Sequence, residues 1–134
     1  MKLKISVNKQ CRNKQTKPAH DWLNIEETLE WLQGWVEAGY GWTATHFIDR
    51  HRRADNARGS NLIVIDLDGD CTLDKFWSTD TAKMWCAATY TSASHSSKQH
   101  RFRALFPLAL PLSNSRQHRG AYWLIVDRLL ADLG

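Results

Sequence analysis

The segment Asn61-Leu62-Ile63-Val64-Ile65-Asp66-Leu67-Asp68-Gly69-Asp70 decides how this chain is read. Its apolar run, Leu62 to Ile65, is rich in β-branched residues and reads as a short buried strand. That strand ends in two carboxylates spaced i, i+2. Side chains alternate across a strand, so Asp66 and Asp68 point to the same face and can share one site. Two like charges held so close repel unless a cation sits between them. A strand-borne Asp-x-Asp therefore points to Mg²⁺ or Mn²⁺, hard ions that take oxygen ligands and often bridge phosphates. The competing reading is a strand that runs out into an acidic turn, where Asp and Gly are common.

The other informative stretch is Thr89-Tyr90-Thr91-Ser92-Ala93-Ser94-His95-Ser96-Ser97-Lys98-Gln99-His100-Arg101-Phe102-Arg103. Small hydroxyl residues around His95 make a polar rim at a strand end. Arg101 and Arg103 share a face of the next strand, and Phe102 turns to the other side. A same-face Arg pair suits phosphate oxygens, because guanidinium is permanently charged and binds them bidentately. Taken singly, the Arg pair reads as a solvated sheet face and His95 as a surface histidine. Together with the acid pair, all at strand ends, they form a metal-plus-triphosphate constellation.

The remaining pattern is mixed. Residues 2–7 alternate as an opening strand, and residues 8–20 are polar and basic, expected as a loop. Asn24 with Glu27 resembles a capping box, and Ile25, Leu29, Leu32 and Val36 mark one face of a helix stopping near Gly39. Residues 42–49 favour a strand, and the charged segment Arg50 to Gly59 reads as a connection into the acidic strand. Thr72 caps a short helix over 73–77, a second helix covers 79–85, and strands follow at 86–91 and 101–108. Ser113 or Asn114 starts a last helix with an apolar stripe of Tyr122, Ile125, Val126, Leu129, Leu130 and Leu133. The expected class is α+β, with helices laid on one mainly antiparallel sheet.

At 134 residues the chain is expected to be a single domain spanning 1–134. A net charge of +4 fits an anionic partner without demanding one. Seven Trp are expected mostly in the core. Cys11, Cys71 and Cys86 lie far apart, odd in number and without Cys-x-x-Cys spacing, which fits a reducing cytoplasm and argues against zinc or a disulfide framework. No signal peptide or membrane span is visible, so a cytoplasmic protein without a membrane partner is expected.

In order, the apolar strand with Asp-x-Asp, then Thr-Ser-x-Ser-His, then Arg-Phe-Arg-x-x-Phe-Pro-Leu resembles the archaeo-eukaryotic primase superfamily. The nearest members are primase–polymerase domains of plasmid, phage and cyanobacterial replication proteins. The resemblance covers about residues 24–134 and implies an RRM-like palm. It makes Asp66 and Asp68 catalytic ligands of two Mg²⁺ or Mn²⁺ ions. His95 would bind nucleotide, with Ser94 supplying a hydroxyl and Arg101 and Arg103 contacting the triphosphate. The implied partners are nucleoside triphosphates, a nucleic-acid template and primer, and a helicase domain or partner. Ala93 stands where the family usually has Ser two before the His. The family's third acidic motif is expected after the last helix, beyond Gly134, so the catalytic core is expected to be incomplete and weakly active. Asp127 and Asp132 are expected on the polar face of that helix.

Two other classes compete. Asp66-Leu67-Asp68-Gly69-Asp70 also resembles the first motif of haloacid-dehalogenase-like phosphatases, with Asp66 as nucleophile, although Asp70 replaces the usual Thr or Val. A non-catalytic nucleic-acid-binding module would use Arg50 to Arg58 with Trp42 and His46. His46 and His51, spaced i, i+5, suit neither a helix face nor a strand face as a metal pair.

Overall fold

Strand pairing organises the computed structural model, which describes residues 1–12 and 18–134. The elements are β1 (Leu3–Asn8), β2 (Leu23–Glu27), α1 (Leu29–Glu37), β3 (Gly41–Thr43), β4 (His46–Phe47), β5 (Ala57–Asp68), α2 (Leu73–Trp77), α3 (Asp80–Trp85), β6 (Ala88–Thr91), β7 (Arg101–Leu112) and α4 (Ser115–Leu133). Two sheets form, ordered β2-β1-β3 and β4-β5-β7-β6, where the sequence suggested one. The pairings β1–β2, β1–β3, β4–β5 and β6–β7 are antiparallel, so the class is α+β with helices packed on antiparallel sheets. The chain divides into two compact units, Met1–Leu62 with Leu108–His118, and Ile63–Pro107 with Arg119–Gly134. Of the expected 8–20 loop, residues 13–17 lie outside the described residues.

In the first unit β1 is central, and Leu3, Ile5 and Val7 are buried with Trp22, Leu32, Phe47 and Leu62. Asn24 does not cap a helix. It lies on β2 opposite Ser6 of β1, and its carboxamide brackets Phe47, donating to its carbonyl and accepting from its N–H, both at 2.9 Å. Strand pairing thus overrides the capping-box signal, and Thr28 caps α1 by accepting from Trp31 N at 3.2 Å. The expected 42–49 strand is split. β3 pairs with β1 and β4 with β5, after which the backbone turns left-handed at Asp49 and Arg50 (φ 55° and 58°). The end of the expected charged connection, 57–59, belongs to β5.

In the second unit Phe76 of α2 is fully buried and packs edge-on against Phe102 and Phe106 of β7, with centroids 5.4 and 6.4 Å apart. Truncating such a residue to Ala removes about 3–5 kcal/mol. Thr72 and Thr79 cap α2 and α3. Asn114 accepts from Gln117 N at the start of α4. The apolar stripe of α4 is narrower than its sequence suggests: Ile125 and Leu129 are buried, whereas Leu130 is exposed. Asp132 is more than polar surface, because its carboxylate accepts from Thr81 N (2.9 Å) and Thr81 Oγ1 (2.6 Å) on α3. Only Trp22 of the seven Trp is buried, and Trp85 and Trp123 are exposed. The aromatic excess is therefore mostly peripheral. Among the described residues no helix is long and apolar enough to cross a membrane, and the three cysteines are free thiols.

Candidate functional site

Burial alternates along the end of β5, where Ile63, Ile65 and Leu67 are buried while Asp66 and Asp68 are exposed. The two acids therefore share a face, as a period of two requires. On β7 the same alternation buries Phe102 and leaves Arg101 and Arg103 accessible. Since β5 and β7 are neighbours, the acidic and basic rows meet. Arg103 Nε donates to Asp66 Oδ1 at 2.7 Å, and its Nη1 donates to the Tyr90 hydroxyl at 3.0 Å. Tyr90 stands opposite Arg103 in the β6–β7 register. Arg101 Nε lies 2.8 Å from Asp68 Oδ1, but its N–H is not aligned with that oxygen, so the contact is an ion pair without a hydrogen bond. Partial burial works against the Arg103 charge. The contacts with Tyr90 and Asp66 outweigh that penalty and raise its pKa above the usual value.

A tight turn follows the acids. Gly69 adopts φ +82°, which only glycine takes at no steric cost, and its N–H donates to the His100 carbonyl at 2.9 Å. Asp70 folds back to accept from Asp68 N at 2.8 Å. His100 Nδ1 accepts from Leu73 N at the start of α2, and the rings of His100 and His95 meet edge-on at 4.8 Å. His95 Nδ1 in turn accepts from Arg101 N at 3.1 Å. With Nδ1 accepting in both rings, the neutral imidazoles carry their proton on Nε2. Ser94 Oγ is at the long distance of 3.5 Å from Arg101 Nη1.

The six residues singled out in the sequence thus come together: Asp66 with Arg103, Asp68 with Arg101, and Arg101 with His95 and Ser94. Tyr90 and His100 join them without having been assigned a role. Tyr90 carries no signal beyond its place in the hydroxyl-rich stretch, and His100 acts through its backbone carbonyl as much as its ring. The cations beside the acids are guanidinium groups. Among the described residues no group of three or more His, Cys, Asp or Glu is arranged to hold a metal ion. Two carboxylates and two guanidiniums cancel in charge. Asp66 and Asp68 remain 68% and 65% exposed, so each pair contributes only about 0.2–1 kcal/mol and opens readily. The cluster can therefore exchange partners, with the acids turning to a cation and the arginines to phosphate.

The histidines of the first unit serve other ends. His46 Nε2 bonds the Ile25 carbonyl at 2.8 Å, and His51 stacks on His20. The chain matches no protein-family model, and comparison with curated proteins and with solved structures found no match.

Proposed function

We propose that the acid–arginine cluster binds a nucleoside triphosphate with Mg²⁺ or Mn²⁺ and serves template-directed nucleotidyl transfer of the primase–polymerase kind. The observation that carries this reading is the convergence of Asp66, Asp68, Arg101, Arg103, Ser94 and His95 through direct contacts on one accessible sheet face. Two carboxylates on hard oxygen atoms fit a magnesium-like ion, which is commonly held by one or two acids and completed by substrate phosphates and water. Asp66 and Asp68 would hold it. Such an ion supplies positive charge to the triphosphate and acidifies an attacking hydroxyl. The protein's part is positional. Arg101 and Arg103 release the acids and take phosphate oxygens. The Nε2–H of His95 donates to the nucleotide, and the Ser94 hydroxyl lines the same rim. The test is calorimetric titration of a nucleoside triphosphate with Mn²⁺ and with EDTA, followed by incorporation of labelled nucleotide on a primed template. Metal-dependent binding is expected; binding indifferent to the metal would contradict the proposal.

A further inference from the structure

A concavity built within the first unit uses none of these residues. Its volume is about 400 Å³, inside the range of roughly 300–1,000 Å³ typical of small-molecule sites. Ala44, Ala54, Ala57 and an edge of the largely buried Phe47 give it an apolar side, while Arg52, Arg53, Ser115 and His118 give it a polar one, and among the described residues no carboxylate lines it. Burial holds the His118 imidazole below its usual pKa despite a hydrogen bond to the Leu62 carbonyl. At neutral pH it is therefore a flat uncharged surface rather than a third cation.

The two arginines are presented by a strained loop. Asp49 and Arg50 are both left-handed, a conformation that costs roughly 1–2 kcal/mol per residue with a side chain. Neighbouring groups hold it in place. Trp22 N donates to the Arg50 carbonyl at 3.1 Å, Arg52 N donates to the Ala19 carbonyl at 2.7 Å, and the Arg52 guanidinium lies 5.7 Å over the Trp22 ring. Arg52 has no carboxylate partner among the described residues. Arg53 pairs with Asp55 at 2.9 Å, but both are well exposed, so a phosphate displaces that pairing at little cost.

Two consecutive arginines lining a space of this size, with no carboxylate among the described lining residues, suit a small anionic ligand. We infer that this concavity binds a nucleotide phosphate, with the phosphate against Arg52 and Arg53 and the rest of the nucleotide in the space lined by Thr43, Thr45, Ser115 and His118. The ligand is either a free mononucleotide or the terminal nucleotide of a single strand. No residue is shared with the acid–arginine cluster, so the two sites stand or fall separately.

The test uses the full chain in EDTA, which silences metal-dependent binding at Asp66 and Asp68. A short 3′-labelled oligothymidylate, with or without a 5′-phosphate, is titrated by fluorescence anisotropy, and thymidine monophosphate is titrated by calorimetry. The 5′-phosphorylated strand should bind more tightly than the unphosphorylated one. Arg52→Gln with Arg53→Gln should weaken binding at least about tenfold, the effect expected for one charge-assisted hydrogen bond. Arg116→Gln with Arg119→Gln removes the same charge from exposed positions outside the concavity and should weaken it far less. Asp55→Asn should tighten it by freeing Arg53. All substituted side chains are exposed, and circular dichroism checks the fold. Thymidine monophosphate binding as well as the strand assigns a free nucleotide; strand binding alone assigns a chain end. Equal losses in the two double variants, indifference to the phosphate, or no binding of either probe would overturn the inference.

Discussion

Replacing Arg101 and Arg103 together with Gln should move two affinities in opposite directions. Their Nε atoms lie 2.8 and 2.7 Å from Asp68 Oδ1 and Asp66 Oδ1, the oxygens a divalent ion would need. Each exposed pair is worth about 0.2–1 kcal/mol, so opening both costs roughly 0.4–2 kcal/mol before any ion binds. That penalty lowers metal affinity about 2- to 30-fold, and the nearby positive charges lower it further. Without the arginines, bare Mn²⁺ measured by electron paramagnetic resonance should bind tighter by at least that factor. Nucleoside triphosphate at saturating Mn²⁺ should instead bind more weakly, by about tenfold or more for each charge-assisted hydrogen bond to phosphate that the substitutions remove. Low ionic strength gives the clearest contrast, because salt screens exposed pairs. A double variant that binds Mn²⁺ no better would show that these acids do not exchange partners. Unchanged nucleotide affinity would show that the guanidiniums never meet phosphate.

Three other outcomes follow from the second unit. Gly69→Ala forces a left-handed alanine whose Cβ would lie 2.8 Å from Gln99 Nε2. Since the Gln99 side chain can move, the backbone conformation dominates, and urea unfolding should show a loss of about 1–2 kcal/mol; full stability would contradict the turn. The Asp132 carboxyl is held below its ordinary pKa, chiefly by hydrogen bonds from Thr81. A depressed folded-state pKa stabilises above the unfolded value and loses that contribution as pH falls through the folded one. Asp132→Asn should therefore flatten the acid limb of the stability profile below about pH 4, and an unaltered limb would count against the Thr81 hydrogen bonds. Burial pushes the Cys86 thiol up to about 11. Alkylation at pH 8 should be roughly a hundredfold slower in the folded chain than in denaturant, and equal rates would place Cys86 in solvent.

Which residues share a strand face was more legible in the sequence than which strands lie side by side. Period-two alternation alone placed Asp66 with Asp68 and Arg101 with Arg103, because a strand's side chains obey local geometry. The caps Thr72 and Asn114 were legible for the same reason. What local pattern could not convey was long-range pairing. The partnership of Asp66 with Arg103 depends on β5 lying beside β7, and no spacing encodes that. Asn24 misled because Ile25, Leu29 and Leu32 fit a helix face by coincidence, while β1 offered residues 23–27 a ladder. Residues 42–49 have uniform strand propensity, yet Trp42 and His46 serve different sheets. The roles of Gly69 and His100 arise from one backbone hydrogen bond, which composition cannot announce.

The most direct measurement is Mn²⁺ and nucleotide binding by the Asp66→Asn, Asp68→Asn double variant, which keeps both side-chain shapes and removes both charges. Loss of Mn²⁺ binding, and with it of metal-dependent nucleotide binding, is the predicted result. Retention of both at wild-type affinity would mean that the acid pair is only the counter-charge of two arginines.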